Sequence, residues 1–136
     1  MALLSEYAAE PIGGGRELAA DARRELVPGL RRHPAAFVLL AHAGADAVGV
    51  AVCFVGYSTF AARPLVNVHD LAVTAAWRRR GVARVLLEAV AARARELGCC
   101  KVTLEVREDN APAQALYRSL GFDGGEPRAL FWQMSL

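Results

Sequence analysis

The chain has 136 residues, a formal net charge of +2 and 54% hydrophobic residues, which fits one domain able to bury a core, while so mild a charge does not by itself suggest nucleic acid and leaves arginine binding of backbone phosphates as a third alternative. No apolar run approaches the roughly 20 residues that span a bilayer, and the opening "MALLSEYAAE" lacks the basic n-region and long apolar core of a secretory signal, so a soluble cytoplasmic protein is expected. Cys53, Cys99 and Cys100 are odd in number and form no Cys-x-x-Cys pair, which favours reduced thiols, and His33, His42 and His69 lack metal-ligand spacing, so no metal site is expected.

In chain order, residues 2–9 read as a helix broken by "PIGGG" at 11–15, and residues 17–32 as a second, with Leu18, Ala22, Leu26 and Leu30 on one stripe and Pro28 complicating its end. "AFVLLAHA" (36–43) and "VGVAVCFVGY" (48–57), joined by "GADA", read as a hairpin, and "PLVNVHDLAV" (64–73) as a third strand. Beyond "RRRG" at 78–81, Val82, Val85, Leu86, Ala89 and Val90 have helical spacing up to Gly98, a glycine suited to a helix C-cap. "KVTLEVRE" (101–108) alternates as a fourth strand. "DNAPAQALYRSLGF" (109–122) is a short helix capped by Asn110, with Pro112 in its first turn and Gly121 at its end, and "ALFWQMSL" (129–136) reads as a final strand. The order implies an α/β fold with one right-handed crossover from the strand of Asp70 through the helix after Gly81 to the strand of Val102.

Three arginines at a helix start oppose the helix dipole unless an anion sits there. Gly81 has no side-chain oxygen to cap the helix, so the first-turn amides are free for an anion that would also suit the arginines. Solvated surface charge is the alternative for such a run.

"RRRGVA", residues 78–83, resembles the R/Q-x-x-G-x-G/A motif of the Gcn5-related N-acetyltransferases (GNAT), and "NAPAQALYRSLGF" resembles the family's N-x-x-A-x-x-L-Y-x-x-x-G-F. The resemblance covers most of the chain and is clearest over residues 66–122. It implies one N-acetyltransferase domain, residues 1–136, with a mixed, mostly antiparallel sheet flanked by helices and a splayed central strand pair opened by a bulge. It departs from the family in Ala75, where proline is frequent, in Ala83 in place of the second glycine, and in opening on a helix, so that the first family strand is expected to be missing or supplied otherwise.

The resemblance further implies acetyl-CoA as cosubstrate and an amine of a small molecule or protein as acceptor. Arg78, Arg79, Arg80, Gly81, Val82, Ala83 and Arg84 would surround the pyrophosphate. Leu71, Ala72 and Val73 would run along the pantetheine arm, although apolar residues here would be core in almost any fold. Asn110, Ala113 and Tyr117 complete the cofactor side. A non-catalytic acyl-CoA sensor is the alternative, and a homodimer is expected because an unpaired strand edge invites a second copy.

Acetyl transfer needs a proton acceptor for an alkyl amine, whose pKa is about 10.4, and a donor for the departing thiol. Tyr117 matches the family tyrosine proposed as that donor; a packed tyrosine with a satisfied hydroxyl is its rival. His69 and Asp70 are the candidate bases. A regular strand lets only one of them face the acceptor, and His69 shares parity with Leu71 and Val73; simple satisfied polar roles are the alternative for both. The connector 11–15 and the loop "GYSTFAARP", with Tyr57, Ser58 and Phe60, are expected to border the acceptor.

Overall fold

The computed structural model describes residues 2–11 and 15–136; Ile12, Gly13 and Gly14, in the expected "PIGGG" connector, lie outside the described residues. Helices α1 (Ala2–Ala9) and α2 (Ala20–Arg32) precede strands β1 (Ala36–Ala43), β2 (Asp46–Ser58) and β3 (Arg63–Val73). A short 3-10 turn (Ala75–Trp77), helix α3 (Val82–Glu96), strand β4 (Val102–Leu104) and helix α4 (Ala111–Ser119) follow. The sheet order is β1-β2-β3-β4, antiparallel except for the parallel β3–β4 pair, as a crossover through α3 requires. Among the described residues no helix is long and apolar enough to cross a membrane.

Alternation in β2 divides the core between the two faces of the sheet. Ala51 and Cys53, with Val66 and Val68 of β3, pack against Leu86, Leu87, Val90 and Ala94 of α3. Val50, Val52 and Ala72 face the other way, toward Leu3, Leu4 and Tyr7 of α1 and Leu30 of α2. Burial in the first cluster pushes the Cys53 thiol up to about 12, so it is an inert packing group. Gly49 sets how closely α3 approaches the sheet, because a Cβ there would stand 2.8 Å from Val82 Cγ1 and 3.1 Å from Leu86 Cδ1.

Two features of β3 create an opening. Val52 pairs with Asp70 and Cys53 with Val68, which leaves His69 as the extra residue of a bulge. Pairing of β3 with β4 covers only Val66–Val102 to Val68–Leu104, whereas its pairing with β2 continues to Val73–Gly49. From His69 onward the edge of β3 facing β4 is therefore unpaired. The Thr74 N–H donates to the Val48 carbonyl at 3.0 Å, and antiparallel alternation then turns the main-chain groups of Asp70 and Ala72 toward β2 and those of Leu71 and Val73 toward the open edge.

Two expected strands are corrected. The fourth, expected over 101–108, is a strand only at Val102–Leu104, because β3 diverges at the bulge and leaves residues 105–108 nothing to pair with. The final strand, expected over 129–136, is absent: the segment alternates but has no paired edge, and Leu130, Trp132 and Met134 are exposed. An alternating pattern permits a strand; a partner edge makes one.

Candidate functional site

A groove of about 780 Å³ occupies the wedge between the diverging strands. Leu71 and Val73 line one wall, Glu105, Val106 and Arg107 stand opposite, α3 begins at one end, and α4 closes a side with Asn110, Ala113, Leu116 and Tyr117.

The loop from β3 to α3 has an unusual backbone. Arg79 has φ +61° and Gly81, the α3 N-cap, φ +82° with ψ 1°. A left-handed conformation is natural for glycine and costly for arginine, so the fold holds Arg79 there against its preference. Such left-handed turns gather successive N–H groups into an anion-binding concavity. No side chain caps α3, and its first internal bond is donated by Val85 N–H to the Gly81 carbonyl at 3.0 Å. The amides of Val82, Ala83 and Arg84 thus lie before that bond and face the groove's end. An uncapped helix start, a left-handed loop and main-chain groups at Leu71 and Val73 that no neighbouring strand pairs fit a phosphate-bearing ligand with an amide-rich arm.

The arginines do different jobs. Arg79 lines the groove. Arg78 also lines it, donating from Nε to the Val73 carbonyl at 3.1 Å and from Nη2 to Glu10. Arg84 lies at the helix start and donates to Ser119 Oγ at 2.7 Å, tying α3 to α4. Arg80 does not line the groove; its guanidinium stands 5.1 Å from the ring centroid of Trp77, which does. Ala72 is also outside: its side chain is buried toward α1 and its main chain bonds to β2.

Tyr117 is half-buried between the groove and Phe122, whose ring centroid is 5.9 Å away. Burial raises its pKa above the ordinary phenol value, and a lesser push comes from Tyr7, so the proton stays on oxygen at neutral pH. Among the described residues no buried side-chain oxygen lacks a partner, and the Tyr117 hydroxyl has no protein partner, so it is open to the groove. Asn110 accepts from the Ala113 N–H at 3.3 Å as the α4 cap while also lining the groove.

Of the two candidate bases at the bulge, His69 lines the groove together with Leu71 and Val73, and Asp70 does not. His69 is exposed, lines the groove and packs edge-on to Phe54 at 5.5 Å. Asp70 opposes Val52 on the α1 face and does not line the groove. Its burial raises its pKa above the usual carboxylate value, with His69 pulling partly back. Tyr57, Ser58 and Phe60 lie at the far end of β2 and β3, away from the groove.

Sequence reasoning missed Tyr7, Trp77, Arg107 and Phe131, all of which line the groove. Tyr7 arrives from α1, and its pKa is raised by burial and then by Asp70 and Glu10. Arg107 chelates Asp109 through bonds of 2.9 and 2.6 Å and donates to the Pro11 carbonyl at 3.0 Å. Nothing in the spacing around Tyr7 or Arg107 marks them. Trp77, adjoining the arginines, carried a signal by position.

Comparison with known proteins agrees with this architecture. The family model described as "Acetyltransferase (GNAT) family" matches residues 2–122. Streptothricin acetyltransferase of Streptomyces lavendulae is 38% identical over 79 residues, 58% of this chain and 41% of that protein. N-alpha-acetyltransferase RimI of Mycobacterium tuberculosis is 36% identical over 96 residues, 69% of this chain and 59% of its own length. The chain thus spans about half the length of these relatives. A crystal structure described as a probable acetyltransferase superposes with TM-score 0.85 at 23% identity, covering 98% of this chain and 89% of that one, which is a likeness of fold.

Proposed function

The chain belongs to the GNAT family of acetyltransferases, and from that premise we propose that it is one acetyltransferase domain, residues 1–136, transferring acetyl from acetyl-CoA to a primary amine. The observation that carries the reading is the meeting, in one groove, of the left-handed loop at Arg79–Gly81, the uncapped start of α3 and the unpaired edge of β3. The amides of Val82, Ala83 and Arg84 take pyrophosphate oxygens, with Arg79 adding charge. Leu71 and Val73 offer main-chain hydrogen bonds to the pantetheine arm, which then lies like an added strand.

Bound this way, acetyl-CoA supplies the activated acyl group. His69, in the groove, accepts a proton from the ammonium form of the acceptor, directly or through water. As the carbon–nitrogen bond forms and the carbon–sulfur bond breaks, the nitrogen gives up its second proton to solvent, while Tyr117 gives its proton to sulfur and regains one from solvent. Main-chain amides along β3 polarise the carbonyl, and holding both reactants in the wedge supplies the rest.

The named relatives, one an acetyltransferase of streptothricin and one an N-alpha-acetyltransferase, support an amine acceptor. We extend the proposal to a homodimer covering the outer edge of β1, where Val38 and Leu40 are exposed; a concentration-independent monomer mass would overturn that extension. The principal test is thiol release from acetyl-CoA with a panel of primary amines. Amine-dependent release is expected; CoA binding without turnover on any amine would instead favour an acyl-CoA sensor.

A further inference from the structure

The carbonyl that the pantetheine arm would use at Val73 already has a partner. Arg78 Nε donates to it at 3.1 Å, and the same guanidinium reaches across to Glu10 at the end of α1. One planar side chain therefore bridges the open edge of β3 and the helix carrying Tyr7. A second arginine holds the same turn from the opposite wall, since Arg107 donates to the Pro11 carbonyl at 3.0 Å while locked to Asp109. Gln114 of α4 donates to the Arg107 carbonyl at 3.1 Å and fixes the base of that second support. The two arginines come from the loops following β3 and β4, the strands whose divergence makes the groove.

We propose that Arg78 is a positioning residue with two alternating sets of partners, so that filling the cofactor groove and unpairing Glu10 are one event. In one set, the observed one, Arg78 caps the Val73 carbonyl and neutralises Glu10. An amide N–H of the arm needs the same carbonyl, so Arg78 must turn away, and the anionic cofactor is its natural new partner. Glu10 is then left beside Tyr7 without its cation, able to take the ammonium of an acceptor. Arg107 does not move in this exchange and keeps the end of α1 in place through Pro11. Linkage makes the effect reciprocal: what draws Glu10 from Arg78 assists cofactor binding, and bound cofactor assists a cationic acceptor.

The inference rests on the acetyl-CoA reading of the groove, and the test separates the two. CoA affinity is measured by calorimetry for the wild type, Glu10→Gln, Glu6→Gln, Arg78→Met and the Glu10→Gln/Arg78→Met double variant, with melting temperature on each preparation. Glu10→Gln is expected to bind CoA about 2- to 5-fold more tightly, the strength of a partly exposed ion pair that no longer has to be broken. That gain should vanish when Arg78 is already Met. Glu6, one turn earlier on α1, controls for charge: an equal gain in Glu6→Gln, or a gain that survives in the double variant, would assign the effect to lost negative charge and overturn the exchange. Unchanged affinity in Glu10→Gln with a wild type that binds CoA would also overturn it while sparing the functional reading. A folded wild type that does not bind CoA would remove both.

Discussion

The two sides of the groove are specified by different means. Where β3 meets α3 the determinants are backbone conformations: a glycine at φ +82°, a neighbouring arginine held at φ +61°, an uncapped helix and a strand edge with no neighbouring strand. On the α1 side they are side chains brought together from distant positions. Arg78 meets Glu10 across 68 residues of chain and Arg107 meets Pro11 across 96. A backbone-built site depends little on residue type except where glycine is required. A side-chain-built site can change its chemistry through single substitutions while the fold persists, as one scaffold serving several acceptors would require.

Tyr117→Phe should break this comparison most visibly, because it is a side-chain determinant on the backbone-built side. Among the described residues the hydroxyl has no protein partner, so its removal should leave the melting temperature and CoA affinity close to wild type. The chemical rate should fall about 10²- to 10⁴-fold if the phenol is the proton donor. Single-turnover kinetics are the proper measurement, since slow product release would hide the loss. A wild-type chemical rate in the folded variant would leave water to protonate the thiolate.

His69→Gln tests the bulge. The substitution keeps a polar side chain in the groove but removes the imidazole, and the chemical rate near neutral pH should fall about 10²-fold, the lower end for a lost general base. Raising the pH should recover part of the loss as the acceptor deprotonates by itself. If the variant keeps the wild-type pH–rate profile, the proton leaves by another route.

How much could be read beforehand follows the same division. The 78–84 loop was legible because a left-handed N-cap selects glycine, and Asn110 and Gly121 were legible because caps select residue types. The bulge at His69 was not, because an inserted residue leaves no mark in an apolar strand until the neighbouring register is known. Tyr7 looked like any aromatic residue of an amphipathic helix. Residues 129–136 misled for the converse reason, since their alternation is real but the edge it requires is not supplied.

Gly49 marks where the two sides share a mechanical support. Its φ is not in the left-handed region, so the restriction is spatial: a methyl would press on Val82 in the first turn of α3 and on Leu86 below it. Gly49→Ala should cost about 1–3 kcal/mol through overpacking and weaken CoA binding by shifting the amides of Val82 to Arg84. Denaturant unfolding read alongside CoA affinity checks both. Lost stability with unchanged affinity would show that the start of α3 moves without disturbing the anion site.

The smallest expected effect concerns Asp70, and its sign separates a paired carboxylate from one that is only buried. Burial on the α1 face lifts its folded pKa above the usual carboxylate value, with His69 opposing this in part. Folding therefore favours the protonated acid. The associated stability is fully present below the unfolded value of about 3.9 and is lost as pH rises through the higher folded value. Asp70→Asn cannot ionise, so relative to wild type it should gain stability progressively as pH rises from about 4 to 7. Melting temperatures of both proteins across that range give the comparison directly. A variant that instead loses relative stability toward neutral pH would mean that the ionised carboxylate has a favourable partner, with Tyr7 the nearest candidate on α1. Turnover of the same variant then assigns the base: a rate that survives Asp70→Asn while falling in His69→Gln places proton removal on the bulge residue, and the reverse places it on the α1 face.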